Sequence, residues 1–534
     1  MIEVNSKELP KGWCWVQHKD IATINPKLPF NNLGDTTLVS FVPMSAVEAV
    51  CGKYDLSQVR KFGEVKKGYT PFIDSDLIFA KITPCMENGK IAVLENLTNG
   101  VGFGSTEFHV SRLTSLTHKK YLFYFFTQKA FRRDAQQHMT GSAGQLRVPK
   151  TYFEQIFIPL PPRSEQNRIV EKIEELFSDL DKGIESLKTT QQQLKIYRQA
   201  VLKWAFEGRL TAKWREEKKQ QGELKSAEEL LVQIKAEREK RDLTQLQEWN
   251  EAVKTWEANR KQGKKPGKPK KAKELPFLTE NEIAELPKLP HKWCWVNFGE
   301  LVSEGLQNGL YKPASHYSSG VLIVRIDNFY DGKLNSWTTL KRLQVSDDEL
   351  ETYRLEDNDI LINRVNSMTH IGKCALIEKT GEYCVFESNI MRLKIFIDFI
   401  NPKFITYYLS SIFGLKELRK NAKQAINQAS INQTDVRLSR VPLCSIEEQH
   451  QIVEEIEFRL SICDRLEATI TENLIRAEAL RQSILKQAFE GKLVPQDPND
   501  EPAEQLIERI RQEKLHGKNG KQLELEIFVD GKIE

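Results

Sequence analysis

Gly89-Lys90 and Gly372-Lys373 could cradle a phosphate, and VGFGSTEF (101–108) carries a Gly-x-Gly that could line a nucleotide. A phosphate loop needs Ser or Thr after its lysine, so that a hydroxyl and backbone N–H groups meet the phosphates together. Neither dipeptide provides one. The Gly-x-Gly stands alone, and the matching later segment, YCVFESN, keeps the Phe without the glycines. No Gly-x-Ser-x-Gly elbow or His-Glu-x-x-His pair occurs. Asn25-Pro26-Lys27-Leu28 is not the Asn-Pro-Pro-aromatic element of an amino-methyltransferase. Acidic pairs are frequent, but at helical spacing, where solvated ion pairs are their ordinary role. Cys14, Cys51, Cys85, Cys294, Cys374, Cys384, Cys444 and Cys463 form no Cys-x-x-Cys pair, so zinc lacks its usual ligand spacing. The expectation is no catalytic residue, no metal ligand and no cofactor bound by this chain.

The elements that carry these residues are written twice. Trp-Cys-Trp-Val stands at 13–16 and again at 293–296. A shift of 283 lays RQAVLKWAFEGRL (198–210) on RQSILKQAFEGKL (481–493), with nine of thirteen residues identical. The same shift lays IPLPPRSEQNRIVEKIE (158–174) on VPLCSIEEQHQIVEEIE (441–457), DLIFAKITP (76–84) on DILINRVNS (359–367) and GKIAVL (89–94) on GKCALI (372–377). Past the helices, SAEELLVQIKAEREK (226–240) resembles EPAEQLIERIRQEK (501–514).

Each copy opens with a mixed globule. Short apolar or alternating runs such as LIFAKI, GVLIVRI and IMRLKIF predict strands, and HKKYLFYFFTQKAFRRDAQQ (118–137) and PKFITYYLSSIFGLKELRKNA (402–422) predict helices. A long helix follows. Ser164 suits its start, and apolar residues recur at Ile169, Ile173, Leu176, Leu180, Ile184, Leu187, Leu194 and Val201, with Gly208 at the end. The second copy repeats the stripe at Ile452, Ile456, Cys463, Leu466, Ile470, Leu474, Ala477, Leu480 and Ile484, ending at Gly491. Such a helix is roughly 65 Å long, and its stripe needs a partner, for which the other copy serves. WNEAVKTWEANRK (249–261) predicts a short amphipathic helix, a candidate docking segment. RKQGKKPGKPKKAK (260–273) holds eight basic residues and no acid, and predicts a flexible tether that could also meet phosphates.

The chain therefore divides into a first globule (1–157), a first repeated helix (158–212), a trailing helix with basic linker (213–288), a second globule (289–440), a second repeated helix (441–494) and a C-terminal helix and tail (495–534). The fold class is mixed α/β: two globules joined by two long helices that pair as an antiparallel coiled coil, with an internal pseudo-two-fold repeat. At 534 residues and a net charge of +4, the chain is neither strongly basic nor acidic, so any nucleic-acid contact must rest on a local face. The N-terminus has no apolar signal core, no run is long enough to span a membrane, and cysteine usage suits reduced thiols. A cytoplasmic location follows.

Two similar globules on antiparallel helices suit a duplex, whose backbone also has two-fold axes. The helices match better than the globules, which implies one partner bound twice and two different things read. At this point the chain closely resembles the specificity subunit of type I restriction-modification systems. The carrying residues are LPKGWCWV with LPHKWCWV, IPLPPRSEQNRIVEKI with VPLCSIEEQHQIVEEI, YRQAVLKWAFEGRLTAKW with LRQSILKQAFEGKL, and YRLEDNDILINRVNSMTHIGKCALIEK (353–379). The resemblance implies that each globule is a target recognition domain reading half of a bipartite double-stranded DNA sequence. It implies helices that set the spacing and dock two methyltransferase subunits, with restriction/motor subunits completing the complex. S-adenosylmethionine, ATP and Mg²⁺ would belong to those partners.

Within that resemblance, the residues suited to read base edges are Lys81, Thr83, Ser142, Gln145 and Arg147 in the first globule. In the second they are Arg325, Asn328, Asn363, Arg364, Asn366 and Ser367. The partner-docking candidates are the repeated Glu165-Gln166 and Glu448-Gln449, with Phe206-Glu207-Gly208 and Phe489-Glu490-Gly491; caps and internal packing are the other role open to them. Two departures matter. The second exit reads VPLCSIEEQ without the double proline, which predicts a looser turn, and KQAINQASINQ stands where the first copy has TGSAGQLRVPK (140–150). The rival readings are a fused enzyme with its own methylation or cleavage activity and a coiled-coil scaffold that does not bind DNA.

Overall fold

The Trp-Cys-Trp-Val blocks are strands that close each copy of the repeat on itself. In the computed structural model, which describes residues 8–27, 33–142, 144–263, 265–269, 275–378, 381–426 and 428–519, Cys14–Gln17 pairs antiparallel with Phe157–Leu160, Val16 opposite Ile158. Cys294–Asn297 pairs in the same way with Arg440–Leu443, Val296 opposite Val441. Opening and exit of each globule are thereby one ribbon. Straight after it comes a helix of 44 residues in each copy, Arg163–Phe206 and Ile446–Phe489.

Ser164 is not a cap: it lies within the first turn and its hydroxyl bonds Asp500. In the second copy the missing prolines do not loosen the turn, because the Ser445 hydroxyl accepts from the Glu448 N–H at 3.3 Å and caps the helix there. Both helices end as their glycines predict. Gly208 and Gly491 take positive φ, 69° and 67°, and the following N–H groups of Arg209 and Lys492 reach back to Trp204 and Gln487, the wrap that satisfies carbonyls at a helix C-terminus.

The chain forms two units, Met1–Lys188 with Ile470–Glu534, and Thr189–Thr469. The first holds a four-stranded antiparallel sheet ordered Ala22–Ile24, Phe108–Leu113, Leu77–Ala80, Ile91–Val93. Its second sheet is ordered Val59–Lys61, Leu38–Val42, Val101–Gly104, Thr70–Ile73, whose central pair is parallel. Helices Lys119–Thr127 and Lys129–Gln137 supply Tyr121, Phe125, Phe126 and Phe131 to its core, together with Ile169 and Ile173 from the first long helix and Leu485, Ala488 and Phe489 from the second. The second unit holds a six-stranded sheet around Ile360–Asn363 and two three-stranded sheets. There, Val201, Leu202 and Phe206 of the first long helix share a core with Ile452, Val453 and Ile456 of the second and with Phe404 and Tyr408. Each core is thus built from both copies.

Inside each unit the long helices run antiparallel. In the first, Glu165 lies by Gln496 and Asp181 by Arg481; in the second, Thr211 lies by Glu448 and Arg198 by Asp464. The buried line is narrower than the sequence stripe. Ile456, Cys463, Ile470, Ala477 and Ile484 are buried at strict seven-residue steps, whereas Leu466 and Leu480 are 47% and 52% exposed. A two-helix contact covers one seam, and residues three positions off it face outward. Phe177, outside the expected stripe, is buried against the Arg481 guanidinium.

The trailing helix and the short helix expected at 249–261 are one helix, Ala227–Ala258, opened by a Ser226–Glu229 capping box. Its buried face, Ala227, Leu230 and Ile234, matches Ala503, Leu506 and Ile510 of the C-terminal helix. Both helices are pinned by one backbone bond, Ala227 N–H to Lys292 O and Ala503 N–H to Gly12 O, each 2.9 Å. All eight cysteines are free, four of them buried, three half-buried and Cys51 exposed. No described helix is long and apolar enough to cross a membrane, and no described cluster of His, Cys, Asp or Glu could hold a metal ion.

Candidate nucleic-acid interface and helix-end anchors

The base-reading candidates of the first globule meet at one sheet end. Strand Leu77–Ala80 runs out into Lys81–Thr83, and the 140–148 loop returns beside it: Thr83 N–H bonds Leu146 O, Val148 N–H bonds Lys81 O, and Thr140 bridges Arg147. Gly141 and Gly144 have positive φ, the conformation this tight loop needs. Ser142 and Gln145 stand exposed at its tip. Arg147 forks onto Glu107, Nη2 to Oε1 at 2.8 Å and Nε to Oε2 at 2.9 Å. That bond raises the guanidinium's affinity for its proton and holds Glu107 below the usual carboxylate range. Lys81 is half-buried, and burial lowers its ammonium pKa. Thr83 Oγ1 donates to Glu87 at 2.8 Å.

The second globule repeats this frame with other side chains. Strand Ile360–Asn363 runs out into Arg364 and the short strand Val365–Asn366, which pairs with Gln428–Ser430 of a hairpin whose other arm is Lys423–Ala425. This hairpin falls where the 140–147 loop falls in the first globule, at the same shift of 283. The backbone bond Lys81 N–H to Glu107 O recurs as Arg364 N–H to Asn389 O, both 2.9 Å. Arg364 Nη1 also donates to Ser388 O at 3.1 Å. Arg325 pairs with Glu387 on the same 387–389 loop, so the two arginines flank one turn. Asn328 Oδ1 accepts from Arg325 N–H and shapes that turn. Asn366 Oδ1 accepts from Ser367 N–H, and Ser367 Oγ lies 2.9 Å from His370 Nδ1.

Asn363 stands apart: its side chain is fully buried and neither amide atom has a partner. It belongs to the interior, not to a reading surface, because the last residue of this strand faces the core. Conversely, the sequence reading assigned nothing on the hairpin, where Lys423, Gln424 and Gln428 are exposed. KQAINQAS (423–430) has neither period-two alternation nor the glycines of the first copy, so no local signal marked these strands.

The helix-end candidates are anchors inside each unit. Trp13 Nε1 donates to Glu165 at 3.0 Å, and Trp293 Nε1 to Glu448 at 2.8 Å. Glu165 also accepts from Gln496, and burial raises its carboxyl pKa; Glu448 instead takes Thr211 and Arg215. Gln166 accepts from His118 N–H at 2.9 Å and donates to Pro161 O at 3.0 Å. Gln449 does the same with Asn401 N–H and Cys444 O, at the same two distances. These four side chains are buried and used by their own unit. Phe206 packs on Phe404 and Tyr408, and Phe489 on Tyr121 and Phe125. Gly208 abuts Pro290, and Gly491 abuts Pro10 and Trp13, leaving no room for a Cβ. Of the basic linker, Lys265 and Lys268 lie over Trp256 and Trp249, whose indoles donate to Gly263 O and Pro266 O. Lys264, Lys270, Lys271 and Lys273 lie outside the described residues.

Comparison with known proteins agrees with this geometry. The family described as type I restriction modification DNA specificity domain (Methylase_S) matches residues 10–195 and 326–476. The specificity subunits of the type I restriction enzymes EcoAI and EcoEI, both from Escherichia coli, are each 30% identical to this chain over 87% of its length and 80% of theirs. A solved chain from work on complex assembly and conformational transition of a type I R-M system shares the fold, with a TM-score of 0.62, 19% identity, and coverage of 91% of this chain and all of that one. Two copies of one globule-and-helix frame, differing where bases would be read and agreeing where the helices are anchored, are those of a non-catalytic DNA sequence-specificity subunit, and the chain belongs to the specificity subunits of type I restriction-modification systems.

Proposed function

We propose that each globule reads one half of a bipartite duplex target, that the long helices set the distance between the half-sites, and that they dock two methyltransferase subunits. One observation carries this reading. The frame that sets 81–83 beside 140–147 recurs at 364–366 beside 423–430, while the side chains on it differ. One scaffold with two sets of donors and acceptors is what two different half-sites require. Lys81, Thr83, Ser142, Gln145 and Arg147 read the first; Arg325, Asn328, Arg364, Asn366 and Ser367, joined by Lys423, Gln424 and Gln428, read the second. Exposed apolar residues on both long helices, Ile196 and Tyr197 on the first and Phe458, Leu466, Ile475 and Leu480 on the second, favour docking there. Restriction/motor subunits complete the assembly, S-adenosylmethionine, ATP and Mg²⁺ sit on the partners, and the complex works on DNA in the cytoplasm.

The test is a methylome. The chain is expressed with its cognate methyltransferase subunit in a host that lacks such systems, and modified adenines are mapped by long-read sequencing. A single split motif, absent without this chain, is the expected result. An active, co-purifying methyltransferase that adds no new motif would leave the chain a scaffold; modification by this chain alone would make it an enzyme.

A further inference from the structure

The first tryptophan of each Trp-Cys-Trp-Val block is buried and bonded to its helix; the second is not. Trp15 and Trp295 are half-exposed, and each floors a cleft within its own unit, of about 660 Å³ and about 580 Å³. The two clefts are the same site by the repeat. Phe125, Ala130 and Arg133 line the first; at a shift of 283, Tyr408, Phe413 and Lys416 line the second. Cations outnumber carboxylates on both rims, four to two and three to two. Among the described residues, Arg133 and Lys486 in the first cleft and Lys416 and Lys420 in the second are exposed and have no ion-pair partner.

We propose that these clefts are paired seats for one ligand, an extended apolar segment bearing carboxylates, carried by the methyltransferase subunit; this rests on the reading above that two such subunits dock. An aromatic floor with free cations at its rim suits apolar side chains followed by acids. The second cleft indicates how chain lies on it: along its edge runs Glu285-Leu286-Pro287, and Trp295 Nε1 donates to Pro287 O at 3.1 Å. The repeat argues for the identity of the occupant. The DNA-facing loops differ between copies, whereas the clefts keep an indole at Trp15 and Trp295, an aromatic ring at Phe125 and Tyr408 and a cation at Arg133 and Lys416, so they serve the partner that is present twice.

The experiment uses the full chain and its purified cognate methyltransferase subunit, with native mass spectrometry for stoichiometry and titration for affinity. The variants are Arg133→Glu with Lys486→Glu for the first cleft and Lys416→Glu with Lys420→Glu for the second. Because these side chains are exposed, the fold should survive, and Trp15→Ala and Trp295→Ala provide a second pair. The wild type should bind two subunits. Either single-cleft variant should bind one, with at least a tenfold loss of affinity for the other, and the four-site variant should bind none. Wild-type binding of two subunits by the four-site variant, with the split methylation motif intact, would overturn the seats while leaving the specificity reading standing. A change in self-association of the chain alone would make a second copy the occupant and overturn the proposal. Failure of the wild type to bind any methyltransferase subunit would sink both readings.

Discussion

Trp13 donates its indole N–H to the Glu165 carboxylate at 3.0 Å, tying the opening strand of the first globule to the first turn of a helix 152 positions along the chain. Trp293 and Glu448 repeat the bond at 2.8 Å. Both pairs are buried, so the bond holds a carboxylate that would otherwise be poorly solvated. Trp13→Phe keeps the ring and removes the donor. It should cost the first unit about 1–3 kcal/mol, seen as a lower thermal midpoint in calorimetry. Trp293→Phe should cost less, because Thr211 and Arg215 still hold Glu448; equal losses would contradict this ranking.

Gln166 and Gln449 each join a backbone N–H and a backbone carbonyl that no neighbouring strand reaches. Replacing either by Leu leaves both groups buried and unbonded. The expected loss is about 2–4 kcal/mol per site, read from denaturant unfolding, and Gln→Glu should not restore it, since a carboxylate cannot donate to Pro161 O or Cys444 O.

Arg364→Ala should weaken one half-site only. A well-placed arginine contributes about 1–3 kcal/mol of base discrimination, so methylation at targets altered in that half should rise relative to the correct target by about tenfold, while the other half keeps its stringency. Unchanged methylation of the full motif would remove Arg364 from the reading surface.

Acid should weaken the first unit. Burial pushes the His18 imidazole down to about 3 and His109 down to about 4. Both take a proton far more readily when unfolded, near pH 6.5. Their contribution is fully present above that value and is lost as pH falls toward the folded values, about 2 kcal/mol each by pH 5. The melting temperature of the wild type should therefore drop between pH 7 and 5. His18→Phe, whose ring can keep the contacts with Phe126 and Phe153, should flatten that slope; an unchanged slope would place the acid sensitivity elsewhere.

Much of the fold was legible in the sequence. Periodicity and terminal glycines marked both long helices, because seam burial and helix ends impose local patterns. The candidate base-reading frame was half legible. Lys81–Thr83 and Arg364–Asn366 follow readable strands, but the 423–430 hairpin lacks turn glycines and is held by pairing with distant residues. Asn363 looked like a reader because residue type does not reveal on which side of a strand end a side chain falls. Glu165, Gln166, Glu448 and Gln449 looked like a surface signature because charged and amide residues are usually outside; only the bonds they make explain their burial. Leu466 and Leu480 looked like seam residues because a stripe in sequence does not tell how many helices will cover it.

The first unit is assembled from Met1–Lys188 and Ile470–Glu534, and this has a consequence for synthesis. When the ribosome has released the first globule, Phe489, Leu506 and Ile510 of its core do not yet exist. At roughly 5–20 residues per second, the 322 positions from Lys188 to Ile510 take about 16–64 s to make. Through that interval the nascent chain carries an open apolar face beside Tyr121 and Phe125, and the cell must keep it from other chains until the last helix is translated.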